Sequence, residues 1–254
     1  MKRIICLTEE TVETFSLLGR LDVVIGVSQY AVRPDEAKLI PKVSQFVKSD
    51  IDQIVSMKPD LVIGFSDIQQ TIAKELIAQG LNVLVTNQRS LSEIFEMILL
   101  YGRLIDEGLK AQKLVARYQE KIEFYRRKYQ DKKRKSFYFE EWDHPRYSCI
   151  QWVAELLEIF NLETIFPEKI HAMARGREVS DESIIERQPD IIFACWCGKE
   201  VKIPKITQRP GYEKIKAVQE NLIFDLPPEI FLQPGPALFE SGLDYLDHLL
   251  QKID

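Results

Sequence analysis

Two adjacent carboxylates, Glu9 and Glu10, follow a short apolar run near the start of this 254-residue chain. Such a pair could serve as general acid and base. At the beginning of a helix the same two residues are favoured simply by the helix dipole. The three histidines, His144, His171 and His248, lie far apart and lack metal-ligand spacing. Of the four cysteines, Cys195 and Cys197 flank Trp196 in a C-x-C arrangement, not the C-x-x-C of redox and zinc sites. No second close pair completes a metal cage, so reduced, structural cysteines are expected. Arg146, Arg175 and Arg177 suit bidentate pairing with phosphate or carboxylate oxygens, with plain surface solvation as the competing role.

Other familiar chemistry is missing. No G-x-G-x-x-G follows the first apolar run, so the usual dinucleotide phosphate cradle is absent. Neither a P-loop nor a G-x-S-x-G nucleophile elbow occurs. No dedicated catalytic centre is found among these motifs, although acid–base pairs can also assemble from distant segments. The apolar fraction of 45% and charged fraction of 29% are those of a soluble globular protein. A net charge of -5 excludes a whole-chain basic footprint for nucleic acid. No apolar run approaches the roughly 18 residues of a membrane span. Met1-Lys2-Arg3 carries the charge of an export signal, but only Ile4-Ile5-Cys6-Leu7 follows it, against the roughly 7–15 apolar residues a signal core needs. The run reads instead as a first strand. A cytoplasmic location is expected for the chain as it stands, and a periplasmic or cell-surface one if a signal was removed.

The elements that must position these residues alternate. Strands are expected over 3–7, 23–27, 60–64 and 82–86, with helices over 11–18, 50–57 and 71–78 between them. Continuous apolar strands separated by helices predict a parallel sheet covered on both faces. Ser92 is expected to cap a helix over 93–105. From Leu109 to Lys135 there is no Gly or Pro, and Ala111, Leu114, Val115, Tyr118, Ile122, Tyr125 and Tyr129 form the stripe of one long amphipathic helix. Its basic end reads as cations complementing a helix C-terminus. Beyond it, strands are expected over 136–142, 190–194 and 222–225, with helices over 151–160, 180–188 and 238–253. An internal echo links the halves: Ile51 to Ile63 and Asp181 to Phe193 both read helix, polar-Pro-Asp, apolar strand. The chain accordingly divides into an α/β lobe over 1–106, a connecting helix over 107–135 and a second α/β lobe over 136–254.

The order of motifs resembles the class III solute-binding proteins of ABC importers. It is carried by Gly26-Val27-Ser28-Gln29-Tyr30, Pro34-Asp35-Glu36-Ala37, Lys58-Pro59-Asp60-Leu61-Val62, Glu141-Trp142-Asp143-His144-Pro145, Val179-Ser180-Asp181-Glu182, Arg209-Pro210-Gly211-Tyr212 and Gln233-Pro234-Gly235-Pro236. The set is most similar to cobalamin-binding members. The resemblance implies two Rossmann-like lobes with parallel central sheets, joined by a long rigid helix, and a ligand held between them at the carboxyl ends of the strands. It implies a monomeric, non-enzymatic protein that takes a corrinoid such as cobalamin as ligand, with no catalytic cofactor. A permease is the implied partner, docked through one exposed acid per lobe; Glu75 and Glu213 are the candidates.

On that reading, Tyr30, Phe46, Phe65, Trp142, Tyr147, Trp196 and Phe231 are expected to wall a flat macrocycle, with core packing as the competing role. Arg33, Arg175 and Arg177 would hold its polar periphery, and His144 could ligate a cobalt or iron ion. Three alternatives stand beside the corrinoid. One is a ferric siderophore or haem. Another is a cytoplasmic enzyme modifying a corrinoid or metal chelate through Glu9 and Glu10, and the last is a lobe pair that binds a protein. The chain departs from the family pattern at Thr8-Glu9-Glu10, where Ala-Pro-Ser is usual, and at Ser44-Gln45, where Gly-Gly is usual. Gln233 and Ala237 stand where arginines often flank the Pro-Gly-Pro turn. Unless Arg33 pairs with Glu9 and Glu10, these carboxylates would repel an anionic ligand.

Overall fold

A computed structural model describes residues 2–171 and 173–253. The chain forms two compact units, the first comprising Met1–Gln119 and Gln233–Ala237, the second Glu120–Leu232 and Leu238–Asp254. In the first, strands β1 (Ile4–Cys6), β2 (Val24–Ser28), β3 (Lys42–Ser44), β4 (Leu61–Phe65) and β5 (Val83–Thr86) form one sheet in the order β3-β2-β1-β4-β5. Every pair in it is parallel. Helices α1 (Glu9–Leu17), α2 (Ile51–Ser56) and α3 (Gln70–Ala78) make crossovers, and α4 (Leu91–Leu104) leads into α5 (Gly108–Tyr129). Ile5, Leu7, Val62, Ile54 and Leu76 are buried together, so sheet residues and crossover helices share one core.

The second unit repeats the plan. Strands β6 (Lys135–Glu140), β9 (Leu162–Thr164), β10 (Ile191–Ala194) and β11 (Ile223–Asp225) form a parallel sheet in the order β11-β10-β6-β9. A hairpin of β7 (Trp142–Asp143) and β8 (Arg146–Tyr147) follows β6. Helices α6 (Gln151–Glu158), α7 (Asp181–Arg187), α8 (Ile203–Thr207), α9 (Lys216–Gln219), α10 (Pro228–Phe231) and α11 (Leu243–Leu250) complete the unit. Its core gathers Tyr138, Phe166, Ile184, Ile192, Trp196 and Tyr212.

The sequence echo has a structural cause. In both copies the residue before the Pro is left-handed, Lys58 at φ 47° and Gln188 at φ 45°, which ends the helix. The aspartate after the Pro then reaches across to the strand beside its own. Asp60 Oδ2 accepts from the N–H groups of Lys2 (2.9 Å) and Arg3 (3.1 Å) at the entry to β1. Asp190 Oδ2 accepts from the N–H of Ser136 (2.8 Å) in β6, and Asp190 N–H returns a bond to the Ser136 carbonyl (3.0 Å). Each aspartate therefore fixes the register of the two central strands of its sheet.

Several boundaries differ from the sequence expectation, and four of them have a physical reason. The cap of α4 is Ser90, not Ser92: Ser90 Oγ accepts from the Glu93 N–H while the Glu93 carboxylate accepts from the Ser90 N–H, a capping box. Helix α5 stops at Tyr129, not Lys135, because Lys135 is taken by β6, where it pairs with Leu162. Strand β6 ends at Glu140, and Trp142 turns into the hairpin instead of extending the strand. The terminal helix opens with a π-helical turn, Leu238–Gly242, before α11 begins. The short strands β3 and β9 carry too few residues for their periodicity to be read from sequence.

Removing the second clamp by Asp190→Ala is expected to cost about 1.5–3 kcal/mol, the range for hydrogen bonds to a charged group. The midpoint of chemical denaturation should fall while the dependence on denaturant stays the same. An unchanged midpoint would show that the clamp sets register without adding stability.

Candidate functional site

In open parallel sheets, ligands are taken at the carboxyl ends of the strands. In the first unit that edge is dominated by acids. Thr8, the residue before α1, does not cap the helix; its hydroxyl donates to Glu10 Oε1 at 2.6 Å. Glu9 is only 7% exposed and Glu10 only 1%. Ser28, at the end of β2, donates to Glu9 Oε1 at 3.3 Å. The Gly235 backbone presses on Glu10 so closely that a Cβ there would lie 2.4 Å from the Glu10 Cβ. Burial pushes the Glu10 carboxyl up to about 8; the Thr8 bond opposes the rise and the neighbouring Glu9 charge adds to it. Burial raises Glu9 as well, against hydrogen bonds from its own backbone, Ser28 and Gln233. The pair does open α1, as the dipole argument expects, and it is buried there. Arg33 does not neutralise it, since its guanidinium is bonded to Glu13 at 2.9–3.0 Å.

Gln69 holds this edge in shape. It is 1% exposed, accepts from the Phe65 N–H (2.9 Å), and donates to the carbonyls of Leu7 (3.3 Å) and Phe46 (3.0 Å). One side chain thereby ties the ends of β1 and β4 to the loop after β3. The next residue after β4, Ser66, sits at φ 57°, ψ -179°, a region nearly reserved for glycine. Its hydroxyl accepts from the Ile68 N–H and its own N–H donates to Thr86, which hold the strained turn in place. Of the aromatic residues expected here, Tyr30 is 44% exposed after β2 and Phe46 is half-buried. Phe65 is buried, with the Arg89 guanidinium 5.3 Å from its ring centre.

At the corresponding edge of the second unit the charges are matched. Glu140, the last residue of β6, is fully buried, and Arg209 grips it through both guanidinium nitrogens at 2.5 and 2.9 Å. The Trp196 indole N–H donates to the same carboxylate at 3.0 Å. Trp142 and Tyr147 face each other across the hairpin, both half-buried. The Lys199 ammonium sits 4.3 Å from the centre of the Trp142 ring and 5.1 Å from that of Trp196, and is paired with Asp143. Beside them a cavity of about 370 Å³ opens at the ends of β10 and β11, lined by Trp196, Lys199, Val201, Asp225, Leu226 and Pro227.

The remaining expected residues separate into two groups. Trp196 (1% exposed) and Phe231 (0%) are interior residues. Trp196 is held by Glu140, and Phe231 packs on Tyr245 while its carbonyl accepts from Trp152. Arg177 is also buried and is spent internally on Glu141 and the Ser148 carbonyl, and Arg146 is paired with Asp181. Arg175, His144, Glu75 and Glu213 are exposed. His144 stands at the hairpin tip, and among the described residues no group of three His, Cys, Asp or Glu side chains could hold a metal ion. Cys195 and Cys197 are free thiols, the first buried and the second exposed. Sequence reasoning missed Gln69, Ser66, Lys199 and the Glu140–Arg209 pair. Only the last had a signal, since Arg209 opens a motif already singled out.

The raised Glu10 gives a pH test. A carboxyl bound to its proton more tightly in the folded than in the unfolded chain contributes stability that is full below about 4.5 and is lost as pH rises through about 8. Across that window the slope should approach about 1.4 kcal/mol per pH unit for one proton. Denaturation series at several pH values should show Glu10→Gln flattening this decline. Parallel curves for the two proteins would mean that Glu10 titrates normally.

Among the described residues no helix is long and apolar enough to cross a membrane. The chain is 25% identical over 250 residues to an uncharacterised ABC transporter substrate-binding lipoprotein, YvrC, of Bacillus subtilis, covering 94% of this chain and 77% of that one. It is 22% identical over 251 residues to a vitamin B12-binding protein of Vibrio parahaemolyticus, covering 98% and 89%. In fold it is similar to the periplasmic heme-binding protein RhuT of Roseiflexus, with a TM-score of 0.83 at 18% identity over 98% of this chain and 97% of that one. The family described as periplasmic binding protein matches residues 4–230. With its two parallel sheets and long α5, the chain belongs to that family, and is an ABC-type substrate-binding protein of a family of binding proteins rather than enzymes.

Proposed function

We propose that this protein binds a corrinoid of the cobalamin type at the carboxyl ends of its strands and hands it to an ABC permease. The observation that carries the choice of ligand is the state of its arginines. A haem or a carboxylate siderophore needs cations for its acidic groups. Arg33, Arg146 and Arg177 are already bonded to Glu13, Asp181 and Glu141, which leaves Arg175 as the exposed one of the four expected arginines. Lys199 is likewise paired, with Asp143. What the strand ends offer instead is half-exposed aromatic surface, at Tyr30, Phe46, Trp142 and Tyr147, which suits a flat ring with uncharged substituents. The similarity to the Vibrio vitamin B12-binding protein, which runs nearly end to end, supports the same choice. Glu75 and Glu213, exposed on one unit each, would be the docking acids for the permease.

Thermal unfolding of the protein with cobalamin, cobinamide, haem and ferric siderophores tests the reading. A ligand present at 100 times its dissociation constant stabilises by about 2.7 kcal/mol, so a bound corrinoid should raise the midpoint visibly. A shift with haem or a siderophore alone would replace the corrinoid with that ligand. Trp142→Ala and Tyr147→Ala should each weaken corrinoid binding about tenfold, equivalent to ~1.4 kcal/mol, by calorimetry. Unaltered affinity in both would remove the hairpin from the site.

A further inference from the structure

The outer strands of a sheet expose main-chain N–H and C=O groups that can pair with another chain, and proteins cover or charge them to prevent it. Among the described residues, three of the four outer strands of the parallel sheets are managed in this way. Beyond β3 the chain turns back: Ser44 bridges antiparallel to Ser49, and the Asp50 N–H donates to the Val43 carbonyl at 2.9 Å. β9 carries Glu163, paired with Arg134 at 2.9 Å. β11 ends on Asp225, whose carbonyl accepts from the Tyr245 hydroxyl at 3.4 Å. β5 is different. It reads Val83-Leu84-Val85-Thr86, with no charge, proline or bulge, and at four residues it is the longest of the outer strands.

The hydrogen bonds to β4 show which groups of β5 point away from the sheet. The Val62 N–H donates to the Asn82 carbonyl at 2.9 Å, and the Ser66 N–H to the Thr86 carbonyl at 2.7 Å. Main-chain groups alternate sides along a parallel strand, so residues 82, 84 and 86 turn theirs to β4, and Val83 and Val85 turn theirs outward. Parallel strands are normally buried on both faces, yet no residue of β5 is buried and Val85 is 40% exposed. Beside the strand runs a groove of about 530 Å³, lined by Asp67, Gln70, Ala73, Lys74, Ile77 and Val85. Ile77 is 59% exposed. The groove is charged in opposite senses along its length: Asp67, held by Arg89 but still more than half exposed, stands beyond the end of β4, and the exposed Lys74 follows on α3.

We propose that β5 pairs antiparallel with β5 of a second copy of this chain, forming a symmetric dimer. A two-fold axis through Leu84 sets each Val83 opposite the partner's Val85, where antiparallel residues exchange both N–H and C=O bonds. Such an isologous contact requires one surface to complement itself. This one does. An antiparallel copy reverses the groove, so Lys74 approaches the partner's Asp67 and Asp67 approaches the partner's Lys74, while Ile77 and Val85 of each copy cover apolar surface of the other. A strand from an unrelated protein would gain the same main-chain bonds without matching both charges, which singles out the second copy. Pairing also closes the edge, so assembly stops at two chains. The inference is independent of which ligand the protein takes, and Glu75, the candidate docking acid, does not line the groove.

The test joins sedimentation velocity of the full chain, across a concentration series, with amide hydrogen exchange read by mass spectrometry. The unaltered protein should pass from monomer to dimer as concentration rises. In the dimer the Val83 and Val85 amides should exchange about tenfold more slowly than in dilute solution, because only there do they gain acceptors. Val85→Lys puts like charges on both sides of the axis and should weaken the dimer about tenfold or more. Lys74→Glu, which symmetry applies twice, should weaken it about tenfold. Both positions are exposed, so thermal unfolding of the dilute variants should match that of the dilute unaltered chain. A protein that stays monomeric throughout overturns the proposal and leaves the edge to a strand of another protein. A dimer that survives Val85→Lys, or that leaves the Val83 and Val85 amides unprotected, overturns it as well, since the contact then lies elsewhere.

Discussion

A single charged side chain reaching from the start of one strand to the main chain of its neighbour sets the frame of each sheet. Parallel strands are joined by long crossovers, so no tight turn fixes their register. Here Asp60 and Asp190 do so, bonding the backbone N–H groups at the entry to β1 and β6. Both carboxyls are held below their ordinary range. For Asp60 the Lys2 N–H bond is the chief cause; for Asp190 burial works the other way and is outweighed by Lys216 and Ser136. Once the amino ends are aligned, strand lengths alone determine where the carboxyl ends fall. Those ends carry the chemistry.

The two units treat that chemistry differently. Each places a glutamate at or just beyond the end of a central strand, Glu10 after β1 and Glu140 at the end of β6. Burying such a group is costly unless it is neutralised or paired. In the second unit Arg209 and Trp196 supply the pairing, and the carboxylate becomes part of the interior. In the first unit no arginine arrives. Glu10 keeps its proton towards neutral pH, and oxygens around it stay unpaired. One edge is a closed internal network while the other retains unspent hydrogen-bonding capacity. An asymmetry of this kind lets one scaffold serve many ligands, because the frame is held by residues that never touch them.

The local strain fits the same division. Ser66 holds a backbone conformation that costs a non-glycine residue energy, at the end of a strand whose other residues are unstrained. Gln69 returns part of that cost by bonding three main-chain groups at once. The edge is consequently rigid before any ligand arrives, which favours discrimination over accommodation.

The sequence by itself determined the elements that local rules control. Apolar runs of strand length, the Lys58-Pro59-Asp60 and Gln188-Pro189-Asp190 stops and the period of α5 identified two α/β units and the family they resemble. The aspartates were visible as an echo because the same clamp was needed twice. The cap of α4 was misplaced at Ser92, although Ser90-Leu91-Ser92-Glu93 carries both halves of a capping box centred on Ser90. Tertiary structure alone decided the rest. Lys135 continues a helical pattern, yet it joins β6 because pairing with Leu162 outweighs propensity. Glu9 and Glu10 read as helix-start acids, and only the fold shows Ser28, Gln233 and Gly235 packed against them from distant parts of the chain. Nothing in the local sequence shows that Arg177 is ion-paired with Glu141 or that the Trp196 indole N–H is bonded to Glu140. Periodicity reports which face of an element is apolar. Whether a polar group on that element is buried, paired or left waiting depends on residues tens to hundreds of positions away, and no local pattern encodes that.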